Sequence, residues 1–188
     1  VLVVSHTGQL MEQTALTGSR IGARFASGYA RTLLHVVSIP AVIAMAVIVF
    51  LLALWRGSRR LALWAAGTIA ATNASAQLLK HTLLWRPDFG LSQRWDAANT
   101  LPSGHTAVAA STAVALVLVV GARWRSLTAW VGALLAAAMG YSTLVCQWHR
   151  PGDVMAALLL AVGWGAVAVA CGAWANDEPA PGGRTGPD

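Results

Sequence analysis

Charge is what this chain has least of. Only 11% of its 188 residues are Asp, Glu, Lys or Arg, less than half the roughly 25% of soluble domains. With 56% of residues apolar, a water-covered globule is excluded, and the length suits one helical membrane bundle. Acidic residues number 7 and never cluster, so there is no carboxylate set to hold a divalent metal, and neither a metal nor another cofactor is expected. The two cysteines, Cys146 and Cys171, both sit inside apolar segments. They provide no metal spacing or disulfide framework and read as small core residues. Neither a signal peptide with a cleavage site nor an internal repeat is evident in these residues. Basic residues are in excess, giving a net charge of +6, but they are scattered. No basic stripe carries interleaved aromatics, so nucleic acid is not an expected partner.

What the chain has instead is long apolar runs. Segments at about 32–55, 61–84, 105–122, 127–147 and 153–175 each approach the roughly 20 residues that a bilayer requires. The fold expected is all-α, a polytopic transmembrane helix bundle occupying residues 1–175 as a single domain. Two basic turns, Trp55-Arg56-Gly57-Ser58-Arg59-Arg60 and Gly121-Ala122-Arg123-Trp124-Arg125-Ser126, are separated by two spans and therefore share a side. The bias of Lys and Arg toward cytoplasmic loops makes that side cytoplasmic. The segment 85–104 and the turn 148–152 then fall together on the extracytoplasmic face. Residues 1–31 read as an extracytoplasmic, interfacial amphipathic stretch. Val1-Leu2-Val3-Val4 reads as the end of a further apolar helix before Val1. The Pro-, Gly- and charge-rich tail at 176–188 is expected to be cytoplasmic and disordered. The Ala, Arg, Trp and Gly bias points to a GC-rich bacterial genome, and the expected location is the bacterial plasma membrane.

Three clusters on the extracytoplasmic side carry candidate chemistry. In Leu101-Pro102-Ser103-Gly104-His105-Thr106, Pro102 stops any preceding helix and Ser103 is a good N-cap. Gly104 lets a ligand approach the backbone. Free amides and the macrodipole at such a start form an anion site. In His149-Arg150-Pro151-Gly152-Asp153, proline in the first helical turn brings Asp153 within reach of the His149 imidazole. A carboxylate accepting from one ring nitrogen fixes the tautomer and frees the other nitrogen to attack. In Lys80-His81-Thr82-Leu83-Leu84-Trp85-Arg86-Pro87, Lys80 and Arg86 supply a point charge and a guanidinium fork suited to phosphate. Cations, a capped helix start and two imidazoles are what phosphoryl transfer through histidine requires.

Lys-x5-Arg-Pro, Pro-Ser-Gly-His and His-x3-Asp, in this order and at helix ends, resemble the signature motifs of the type 2 phosphatidate phosphatases (PAP2), metal-independent integral-membrane lipid phosphatases. The resemblance covers most of residues 60–175. It implies that Lys80 and Arg86 bind the substrate phosphate, with Ser103 and Gly104 in the same cradle. His105 would protonate the leaving oxygen, His149 would be the phosphorylated nucleophile and Asp153 would orient it. Family members commonly have six spans, in keeping with a helix before Val1. A polyprenyl phosphate or diphosphate, or a phosphoglycerolipid, is the implied substrate. A phosphotransferase using the same phosphohistidine, or a non-catalytic lipid-phosphate binding or transport protein, are the alternatives. Two features depart from the pattern. The Lys-to-Arg-Pro spacing is one residue short, and the family's Ser-Arg is here Ser142-Thr143, which removes a phosphate-binding arginine. Arg150 is the candidate to replace it.

Overall fold

Apolar runs punctuated by serine caps, proline and arginine-rich turns fold here into helices. The computed structural model describes residues 3–36, 39–56, 58–91 and 99–175. Among them are seven α-helices and no strand: α1 His6–Gly18, α2 Arg20–Val36, α3 Ile39–Trp55, α4 Arg59–Leu78, α5 Gly104–Val119, α6 Ala122–Val145 and α7 Pro151–Ala170. The expected tail at 176–188 lies outside the described residues, as do Val1 and Leu2. Ser5, Ser58 and Ser103 cap α1, α4 and α5 through their hydroxyls, each satisfying an amide that the helix leaves without a partner.

Helix α5 is the axis of the bundle and packs against α3, α4, α6 and α7. The packing is close because the facing residues are small. A Cβ on Gly132 would come within 2.6 Å of the Ala113 Cβ, and one on Gly165 would collide with Val114. Ala62, Ala65, Ala107, Ala115, Ala157 and Ala161 are fully buried, whereas Leu63, Trp130, Leu134, Leu159 and Val162 are more than 60% exposed. Small residues inside and large apolar ones outside invert the order of a soluble core and match helix packing in lipid. By length and composition, α6 and α7 can each cross a membrane, and α3 and α5 contain shorter apolar helices. The helix that carries residue 32 begins earlier, at Arg20, and α2 lies along α6.

The two basic turns meet at one end of the bundle. The Arg56 guanidinium lies over Gly121, Arg60 donates to the Cys171 carbonyl at 3.2 Å, and the Arg125 guanidinium stacks 3.9 Å from the Trp174 ring centroid. The motif clusters lie at the other end, where α4 finishes and α5 and α7 begin.

Candidate active site

The starts of α5 and α7 are fastened together. The Ser103 amide donates to the Asp153 carbonyl at 2.9 Å. The Ser103 hydroxyl is fully buried and turned into its own helix, accepting from the Thr106 hydroxyl at 3.0 Å. Its contribution at an anion site is therefore the shape of the helix start rather than a presented hydroxyl. Gly104 faces open space. His105 follows on the first turn, its ring centroid 5.6 Å from that of Trp148, and it lies within electrostatic range of His149 and Lys80.

On α7, Arg150 is the N-cap, Pro151 the first helical residue and Asp153 the third, as the sequence pattern predicts. Asp153 is completely buried. Its Oδ2 accepts from His149 Nδ1 at 3.2 Å, from the Arg150 amide at 2.9 Å and from the Thr100 hydroxyl at 2.6 Å. With Nδ1 engaged, Nε2 is the nitrogen of His149 that remains for chemistry. The preceding turn is set by Gln147, whose φ of 59° is unusual for a residue with a side chain. Its side-chain amide holds the turn against α1, 2.9 Å from the Ser19 hydroxyl and 3.0 Å from the Leu16 carbonyl. Thr143 is fully buried, and its carbonyl accepts from the amides of Trp148 and His149. The position that departs from the family pattern is thus directly beneath the histidine loop.

Arg150 is buried rather than at a headgroup-facing rim, and its Nη1 donates to the Thr100 hydroxyl at 3.2 Å. Lys80 sits on a π-helical turn, Leu79–Leu83, where the hydrogen-bond ladder lengthens and Leu84 N bonds to the Leu79 carbonyl. Single π turns of this kind are frequent at functional sites. Asn99 joins this turn to the α5 start, donating to the Leu84 carbonyl at 2.9 Å and accepting from the Leu101 amide at 3.2 Å.

Sequence reasoning missed Glu12, Thr100 and Asn99. Helix α1 crosses the motif end of the bundle, where Gln9 donates to the Pro87 carbonyl at 2.8 Å. Glu12 pairs there with Arg86, Oε2 to Nη2 at 3.3 Å. One signal was available, because Glu12 is the only acidic residue before Asp88. Burial lifts the Glu12 carboxyl above the usual carboxylate value, an effect that the Arg86 charge only partly offsets.

Residues 61–177 match the family model of the PAP2 superfamily. No curated protein and no solved structure matches the chain.

Proposed function

We propose, for a chain that belongs to the PAP2 superfamily, a membrane-embedded lipid phosphatase that works without a metal and through a phosphohistidine on His149. Membership supports hydrolysis of a phosphate ester as the chemistry. The observation that carries the finer reading is the buried Asp153 carboxylate on His149 Nδ1, which leaves Nε2 as a nucleophile. In the first step Nε2 bonds to phosphorus as the bond to the leaving oxygen breaks, and His105 gives that oxygen a proton. In the second step water attacks phosphorus, His105 takes its proton, and the P–N bond breaks to release inorganic phosphate. Lys80, Arg86, Arg150 and the amides at the start of α5 neutralise the equatorial oxygens.

An open apolar furrow of about 500 Å³ supports a lipid substrate. It begins at Leu84 and Pro102, beside the motif end, and runs down α7 past Leu159 and Gly163 to Val167. A long acyl or polyprenyl tail would lie in it, entering laterally from the bilayer, with its phosphate at the helix ends. The inverted packing and the opposed basic end support five spans with the site facing the extracytoplasmic side of a bacterial plasma membrane.

Purified protein in detergent should release inorganic phosphate from polyprenyl diphosphate, phosphatidylglycerophosphate or phosphatidate in the presence of EDTA, and vanadate should inhibit it. Activity lost on chelation and restored by Mg²⁺ would overturn the histidine mechanism, and phosphate transfer to a second substrate without release would make the protein a transferase. The furrow has its own test. A Cβ on Gly163 meets open space, so Gly163→Trp fills the furrow without disturbing the bundle. It should raise KM for a long-tailed lipid about tenfold or more, which is the burial of a few methylenes at about 0.8 kcal/mol each. KM for a short water-soluble phosphomonoester should not change. An equal rise for both substrates would remove the tail from the furrow.

A further inference from the structure

Helix α1 brings an acid to the place where an anion is to bind. The Glu12 and Arg86 side chains are only 3% and 5% exposed, and they are joined by a single contact, Oε2 to Nη2 at 3.3 Å. The other carboxylate oxygen, Glu12 Oε1, and the other terminal guanidinium nitrogen, Arg86 Nη1, are buried with no hydrogen-bond partner. Oε1 rests on the first turn of α7, where a Cβ on Gly152 would collide with it. The charged groups that face Glu12 are Arg86 from the segment after α4, and Arg150 and Asp153 from α7. One carboxylate therefore stands between a phosphate-binding guanidinium and the helix start that carries His149.

A phosphate arriving at Arg86 meets an anion already in place, in surroundings too dry to screen the repulsion. A carboxylic acid in the same position donates instead of repelling. Taking the phosphate-site reading above as its basis, we propose that Glu12 is a specificity-determining residue through which the site takes a terminal phosphate together with one proton. In the bound state the proton lies between Glu12 Oε1 and a phosphate oxygen, and Arg86 Nη1 donates to a second oxygen. The two unpartnered atoms are thereby satisfied by one ligand. Burial already favours the protonated acid. With the carboxyl raised, anion affinity is highest below its titration and falls as pH rises through it, by up to about tenfold per pH unit.

Sulfate is the suitable probe because it stays a dianion across the range where the protein titrates. Its binding to the purified full chain in detergent, measured calorimetrically from about pH 5.5 to about pH 8, needs no turnover. The wild type should weaken as pH rises. Glu12→Gln, which keeps the shape and is permanently neutral, should bind tighter than wild type at the alkaline end, by up to about tenfold per pH unit above the Glu12 titration, and the gap should close as pH falls. The two proteins differ in no other titratable group, so the difference isolates Glu12. Glu12→Asp should keep the wild-type slope. If Glu12→Gln binds more weakly than wild type at every pH with an unchanged slope, Glu12 is only a strut for Arg86 and the proposal fails alone. If neither protein binds sulfate at the acid end, the phosphate site itself is wrong and the proposal falls with it.

Discussion

His149→Ala should release no phosphate from any substrate, while His105→Ala should fail in a way that depends on the leaving group. In the proposed mechanism the first substitution removes the nitrogen that bonds to phosphorus, so no later step can rescue it. The second removes a general acid, a contribution of about 10²–10⁴ in rate. That loss applies to an alkoxide leaving group and shrinks for a nitrophenolate, which departs without a proton. With p-nitrophenyl phosphate, His105→Ala should therefore still label His149, giving an acid-labile phosphoprotein that accumulates because the water of the second step has lost its base. Mass spectrometry of quenched protein distinguishes the two variants. The folded state should tolerate both, since His105 is half-buried and the Asp153 carboxylate keeps the Thr100 hydroxyl and the Arg150 amide when His149 is truncated. Near wild-type hydrolysis by His149→Ala would mean that the nucleophile has been misassigned.

The parts of this site that could be read from the sequence are those written in local spacing. Ser103 before an apolar run, Pro151 at a first helical turn and the four-residue interval from His149 to Asp153 each specify their geometry within one helical turn. The structure has the cap, the proline position and the imidazole–carboxylate contact. The two basic turns were legible for a similar reason, since two helices between them return the chain to the same end. What was not legible depends on contacts across long separations. Glu12 reaches Arg86 over 74 residues, and Thr100 reaches Asp153 over 53. No periodicity encodes such pairs, and a single acid in an amphipathic stretch looks the same in sequence whether it faces solvent or a guanidinium. The start of α2 at Arg20 was missed because residues 20–31 alternate apolar and polar groups. That pattern suits a helix lying on a membrane as well as one lying along α6.

Arg150→Ala should lower kcat/KM by about 2–4 kcal/mol of transition-state stabilisation, comparable with the loss of one oxyanion donor. Charge in phosphoryl transfer spreads over three equatorial oxygens, and Thr143 supplies none of the positive charge that an arginine would. Arg150 is buried beside the dyad, with Nη1 on Thr100 and its backbone amide on Asp153, which is the ground for proposing it as the missing cation. The amide bond survives truncation of the side chain, which leaves the α7 cap intact. The side-chain bond to Thr100 does not, so the loss has two possible routes: directly through the phosphate, or through Thr100 to the Asp153 carboxylate. Thr100→Val separates them, because it breaks the second route and leaves the guanidinium in place. A small loss in Thr100→Val beside a large one in Arg150→Ala assigns the effect to the phosphate. Arg150→Lys should recover only part of the rate, since a point charge does not reproduce the fork. Thr143 lies directly under the histidine loop, its carbonyl bonded to the His149 amide at 3.3 Å. Thr143→Arg in the Arg150→Ala background should restore activity where both side chains reach the same phosphate. An unchanged kcat/KM in Arg150→Ala would mean that the site works on Lys80 and Arg86 alone.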